Sequence, residues 1–178
     1  AGEIGIEDYL DRVGGLGLEA ELSGTQIANI DSADVGPAVW HPLHARAMEA
    51  LADEECDGLI VTHGTDTLEE TAFLLDLTLP ANKPVVVVGA MRPADAVGYD
   101  GLRNFANAVR VASDAQAAGR GVLVVMGDRI FAARDVYKVR TRGTEAFRGF
   151  PRESVGMVTP ASLEWFGAPW RSDTPARC

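Results

Sequence analysis

The sequence predicts an α/β protein: a three-layer sandwich with a mostly parallel sheet covered by helices on both faces. Three observations carry this expectation. Asp57-Gly-Leu-Ile-Val-Thr62, Pro84-Val-Val-Val-Val88 and Gly121-Val-Leu-Val-Val-Met126 are short runs rich in branched residues, the pattern of strands buried on both sides. The first two are followed by helical spacing, with Leu68, Thr71, Ala72 and Leu75 on one face and Leu102, Phe105, Ala106, Val109 and Ala112 on another. A parallel neighbour must be reached by a crossover, so alternating strands and helices imply this layering.

In chain order, residues 4–13 read as a short amphipathic helix ending before Gly14-Gly15. Leu18 to Leu22 and Thr25 to Ile30 are strand candidates around the turn at Ser23-Gly24. Ser32-Ala33-Asp34 forms a polar loop at a strand's end. Gly36-Pro37 and Pro42 mark the entry to a helix running to about Leu51, and the helix from Leu102 stops near Gly119. Val155 to Val158 is the last short strand, and Pro160 to Cys178 has the proline-rich look of a linker. His41 and His44 lie one turn apart without a third ligand and read as surface residues.

At 178 residues the chain is one domain with room for a sizeable core. No uncharged apolar run approaches membrane-spanning length, and the first residues lack the basic and apolar regions of a signal peptide. Cys56 and Cys178 form neither a disulfide framework nor a metal pattern and are expected to be free thiols. The net charge of −10 is unevenly spread: residues 1–100 hold 19 acids and 4 bases, residues 101–178 hold 7 acids and 12 bases. The acidic part disfavours nucleic acid, and the dispersed arginines of the basic part are expected to pair with it or with another subunit. Only two of the sixteen bases are lysines, Lys83 and Lys138. A lysine between Arg134 and Arg140 invites a reason, and a titratable amine is one, because arginine cannot act as a base.

The stretch Val61-Thr62-His63-Gly64-Thr65-Asp66-Thr67-Leu68 places a glycine, hydroxyls and a carboxylate at the carboxyl end of a strand, before a helix. Ligands of open α/β sheets bind there, where helix N-termini offer free N–H groups. Thr65, Asp66 and Thr67 are equally good N-caps, so capping and function both remain open on this loop alone.

With Thr-His-Gly-Thr65-Asp66-Thr-Leu-Glu-Glu-Thr-Ala, Gly-Ala90-Met-Arg-Pro and Arg-Asp-Val-Tyr-Lys138 in one order, the chain resembles the bacterial-type L-asparaginases over nearly its whole length. The resemblance implies a flavodoxin-like N-terminal domain, here residues 1–160, with residues 161–178 opening the linker to a smaller C-terminal domain. It implies hydrolysis of asparagine, and possible use of glutamine, without metal or organic cofactor. It also implies a homo-oligomer, a tetramer, in which a neighbouring subunit helps close each site. The expected location is the cytoplasm, with periplasm or secretion open because Ala1 need not be the natural beginning. By motif, Thr65 matches the second of two catalytic threonines, and Asp66 the carboxylate that binds the substrate α-amino group and orients Lys138. Thr65, Asp66 and Lys138 are thus the expected catalytic set. Ser32 matches the serine that holds the α-carboxylate, Ala90 would accept a bond from the substrate amide through its carbonyl, and Gly64 lines the same loop. Burial of the amine would favour the neutral form that can take a hydroxyl proton, and the carboxylate beside it the charged form.

Three departures stand out. The family's Thr-Gly-Gly-Thr motif, which carries the primary nucleophile, is not among these residues, and Ser23-Gly24-Thr25-Gln26 lies too close to the Ser32 loop to replace it. Ala33 occupies the position of a substrate-contacting glutamine. The sequence stops at the linker, so a fragment or a lone domain is expected. A serine hydrolase using His63 lacks a Gly-x-Ser-x-Gly elbow, and a nucleotide-binding module lacks a glycine-rich or Walker sequence. The rival from another class is a non-catalytic domain that binds an amino acid or a partner protein; a related amidase or amidotransferase subunit is nearer.

Overall fold

The computed structural model describes residues 5–170. Leu59–Thr62 (β1), Val85–Val88 (β2) and Val122–Met126 (β3) pair in parallel in sequence order. Beyond β3 the sheet turns antiparallel through Arg129–Ala132 (β4), Gly156–Val158 (β7) and Leu163–Trp165 (β8), giving the order β1-β2-β3-β4-β7-β8. Val136–Lys138 (β5) and Phe147–Gly149 (β6) form a separate antiparallel pair.

Alternation along the strands sorts the core into two faces. Val61, Val85, Val87, Val122, Val124 and Met126 face the helices Pro37–Ala52 (α2) and Leu68–Thr78 (α3), through Leu43, Ala47, Leu51, Leu68, Ala72 and Leu75. Val86, Val88, Leu123 and Val125 face Gly101–Ala112 (α4) and Ile6–Gly14 (α1). Tyr9 of α1 meets Phe105 of α4 edge to face at 5.2 Å. This is the three-layer α/β sandwich.

Several elements differ from expectation. Residues 18–30 form no ladder among the described residues; most of them are exposed, with Leu18 and Leu22 touching one core and Ile27 the other. Their apolar side chains serve as anchors for a covering segment, which mimics the alternation of a strand. α2 starts at Pro37, as expected, but Pro42 lies inside it. α4 ends at Ala112 and a short 3-10 turn follows at Ala115–Ala117. The stretch read as linker carries β8, held in part because the buried Arg120 guanidinium lies 4.3 Å from the Trp165 ring and donates to Gly167 O. Residues 171–178, including Cys178, lie outside the described residues, as does residue 4; Cys56 is a free thiol. His41 is exposed, and His44 is half-buried. Among the described residues no helix is long and apolar enough to cross a membrane.

One buried carboxylate ties these layers together. Asp76 on α3, its side chain 3% exposed, accepts from Val122 N at 2.8 Å and from Arg134 Nε at 2.6 Å. Asp76→Ala should strand the Val122 N–H at the start of β3 and cost about 1–3 kcal/mol. Urea unfolding checks this, with a lower midpoint and an unchanged slope expected.

Candidate active site

The loop after β1 is set by its neighbours before its own side chains. His63 N donates to Val88 O at 2.9 Å, continuing the β1–β2 pairing one residue past the strand. Gly89 follows β2 directly beneath, where a Cβ would stand 2.8 Å from His63 O and 3.1 Å from Thr65 Cγ2. Only a glycine lets the turn after β2 approach this closely. Ala90, the next residue, is half-buried beside that contact.

The loop's polar side chains are not used as caps. Thr67 is the N-cap residue of α3, yet no side chain caps the helix. The Thr67 hydroxyl instead donates to Ser32 O at 2.6 Å, and Asp66 N donates to Ser32 Oγ at 3.2 Å. Ser32 is buried in a short 3-10 turn, Ser32–Asp34, opened by Asp31, whose carboxylate accepts from Ala33 N. The capping alternative thus gives way to a loop whose hydroxyls and carboxylate serve tertiary contacts.

Thr65 and Asp66 meet Lys138 across more than seventy residues of sequence. Lys138 Nζ donates to Thr65 Oγ1 at 2.9 Å and to Asp66 Oδ1 at 2.7 Å. The Lys138 side chain is 15% exposed and that of Asp66 is 57% exposed, so the amine is enclosed and the carboxylate faces solvent. Along β5, Val136 is buried, Tyr137 exposed and Lys138 half-buried, the alternation that turns Lys138 inward with Val136.

His63 holds the loop from behind. Trp40 Nε1 donates to Thr71 Oγ1 at 2.9 Å, and Thr71 Oγ1 stands 2.9 Å from His63 Nε2. His63 Nδ1 lies 2.6 Å from Gly64 O. With the indole N–H donating to Thr71 Oγ1, the Thr71 hydroxyl donates a hydrogen bond to Nε2 and Nδ1–H donates to Gly64 O; this assigns one neutral tautomer. Burial lowers the His63 pKa below its ordinary value, the Gly64 bond and the Glu70 charge opposing it.

Three supporting residues were not expected from the sequence. Asp100 accepts from Met91 N and Arg92 N at 3.1 and 3.0 Å, fixing the turn that contains Ala90. Asn104 donates to Gly89 O at 2.9 Å and accepts from Gly127 N at 3.1 Å, joining the turns after β2 and β3. Glu69 accepts the main-chain N–H of Lys138. Burial pushes the Glu69 carboxyl above its ordinary value, a shift opposed by that bond. The weak available signal was placement: each lies in the first turn of a helix or just before it, where acidic and amide residues are common for local reasons. Among the described residues no group of three or more His, Cys, Asp or Glu is gathered to hold a metal ion.

With this geometry, a family model described as asparaginase, N-terminal, matches residues 1–171. The chain belongs to that family. It is 44% identical over 158 residues to the L-asparaginase 2 of Bacillus subtilis, covering 89% of this chain and 42% of that protein. It is 41% identical over 177 residues to the L-asparaginase 2 of Escherichia coli, covering 98% and 50% respectively. It is 41% identical over 174 residues to the glutaminase-asparaginase of Pseudomonas fluorescens, covering 98% and 48%. The chain thus spans about half the length of the curated relatives it matches. In this asparaginase-family chain, hydrogen bonds link Ser32 to Asp66 and Lys138 to both Thr65 and Asp66, with Gly64 in the same loop bonded to His63 and Ala90 on the adjoining turn.

A lowered histidine pKa makes folding pH-dependent. The unfolded chain binds a proton below the ordinary value of 6.5 that folded His63 resists, so its stabilising contribution is complete above 6.5. It falls as the pH drops from there toward the lower folded value. His63→Gln should therefore flatten the loss of stability between about pH 8 and about pH 5 relative to the wild type. Urea midpoints across that range provide the measurement, and equal slopes for both proteins would show that His63 does not contribute.

Proposed function

We propose that the chain is the N-terminal part of an amidohydrolase that converts L-asparagine to L-aspartate and ammonia, with Thr65, Lys138 and Asp66 managing the proton of the attacking hydroxyl. The observation that carries this reading is the enclosed Lys138 amine within 2.9 Å of Thr65 Oγ1 and 2.7 Å of Asp66 Oδ1. A hydroxyl attacks an amide poorly while it keeps its proton, and Thr65, 2.9 Å from a Lys138 amine that takes protons when neutral, can relay the proton of the attacking hydroxyl to Nζ. As the oxygen–carbon bond forms, the proton passes to Nζ; as the carbon–nitrogen bond breaks, a proton returns to the nitrogen, which leaves as ammonia. Water then releases aspartate.

The remaining assignments follow the family resemblance and suit the chemistry of each group. Exposed Asp66 offers a carboxylate to the substrate α-amino group, and Ser32, beneath it, belongs to the α-carboxylate side. The carbonyl of Ala90 accepts from the substrate amide, and Gly64, held through His63, lines the loop. The relatives' names include both asparaginase and glutaminase-asparaginase, so glutamine is the second substrate to test. Closure of the site by a neighbouring subunit of a homo-oligomer, and turnover without a cofactor, belong to the same proposal. The Thr-Gly-Gly-Thr segment expected to supply the primary nucleophile is not within the 178 residues.

The test uses the intact protein. Lys138→Arg keeps a cation but cannot accept a proton, and should lower kcat for asparagine about 10²–10⁴-fold. Near-normal ammonia release would leave Lys138 as a fixed charge only. Aspartate binding by calorimetry, with no ammonia released by the wild type, would instead favour a binding domain.

A further inference from the structure

Lys138 reaches Thr65 and Asp66 only if its backbone is held in place, and the main sheet does not hold it. β5 belongs to a hairpin outside the six-stranded sheet, so the main ladder does not set its position. On the β6 side, Val139 N donates to Ala146 O at 2.8 Å and Phe150 N to Asp135 O at 2.8 Å. Antiparallel pairing alternates, so Lys138, opposite Phe147 and between these bonded positions, turns its N–H away from β6. That outward N–H donates to the Glu69 carboxylate. Four residues before Lys138, Arg134 donates to Asp76. Glu69 and Asp76 are seven residues apart on α3, two turns, and so share a helix face. α3 thus holds the Lys138 strand at both ends, and α3 itself begins directly after Thr65, Asp66 and Thr67.

We propose that Glu69 is the positioning residue for Lys138: by accepting its main-chain N–H, it locks the strand that bears the amine to the helix that follows Thr65 and Asp66. Glu69 needs no contact with substrate for this role. One rigid element then carries the hydroxyl and the carboxylate at its N-terminus and, one turn on, the anchor of the amine. The registry of Nζ with Thr65 Oγ1 and Asp66 Oδ1 becomes a property of α3. Asp76 anchors the hairpin's beginning but is too far along the strand to fix its reactive end. The catalytic consequence rests on the amidohydrolase reading above, whereas the positioning itself does not.

The experiment therefore has two arms on the intact protein and its Glu69→Ala and Glu69→Gln variants. In the first, an amine-acylating ester is applied and modification of Lys138 and Lys83 is followed by peptide-resolved mass spectrometry. Glu69→Ala should expose Lys138 to acylation several-fold faster, Glu69→Gln should stay near wild type because its amide oxygen still accepts the N–H, and Lys83 should be unchanged in both. In the second, ammonia release from asparagine is measured. Glu69→Ala should lose about 10²-fold in kcat, the scale of an ångström of misplacement, with little change in KM, and Glu69→Gln should restore most of it. Unchanged Lys138 acylation in Glu69→Ala, or equal acylation of the Ala and Gln variants, would overturn the proposal. The expected acylation pattern in a wild-type protein that releases no ammonia would uphold the positioning and sink the amidohydrolase reading instead.

Discussion

A carboxylate on a helix can do for a side hairpin what ladder hydrogen bonds do within a sheet. A two-stranded pair is marginal by itself in water, and β5–β6 gains its place from buried Val136, Ala146 and Phe147 and from carboxylates on α3. Asp76 is the deeper of the two. It satisfies the first N–H of β3 and the Arg134 guanidinium together, so the hairpin's approach is linked to the central sheet. Removing one partner of such a buried group leaves an unmet donor, a larger penalty than the net gain of a typical exposed pair. The amine of Lys138 inherits its position from these contacts.

The other half of the site is built by close backbone approach. Parallel pairing of β1 and β2 brings their carboxyl ends side by side, and the loops leaving them must share one space. Gly89 resolves that crowding by omitting a side chain, and Asn104 and Asp100 then hold the 89–92 turn through main-chain groups. His63 does the same for the first loop with a neutral ring wedged between Thr71 and Gly64. Neither turn relies on its own reactive groups for shape. That leaves Thr65 and Asp66 free to face Lys138.

Legibility in the sequence followed the physics of each signal. β2 and β3 are readable because strands buried on both faces must be apolar throughout, and β1, a partly buried edge strand, carries the same kind of branched run, which loops and amphipathic helices seldom hold. α3 and α4 are readable from their spacing. The run Val155 to Val158 reads as a short strand and contains β7, whereas β4, β5, β6 and β8 are short, with too few apolar residues to separate from loops. Residues 18–30 misled for the opposite reason, since anchors spaced along a covering segment imitate strand alternation. In the site, Lys138 was legible because its half of the chain otherwise chooses arginine, and the 62–68 loop because its residue types suit a strand end. Glu69, Asp100 and Asn104 were hidden by ordinary roles: residues of these types are common at helix starts for local reasons, and only the folded chain brings them to distant main-chain groups.

The charge asymmetry resolves in a similar way. Of the pairs that tie basic residues to acids, Arg103–Asp128, Arg129–Glu153 and Arg152–Asp135 stay within the basic half, whereas Arg134–Asp76 and Lys138–Asp66 join the two halves. Arg103–Asp128 and Arg129–Glu153 are exposed on both sides, so each contributes little to stability. The two cross-half pairs each have one enclosed member, Asp76 at 3% and Lys138 at 15% side-chain exposure. Enclosure is what makes geometry matter, because a buried charge that loses its partner has little water to turn to. The segment 134–138 is therefore where the acidic and basic halves are fastened together, and the fastening places the enclosed lysine of this arginine-rich half at the end of β1.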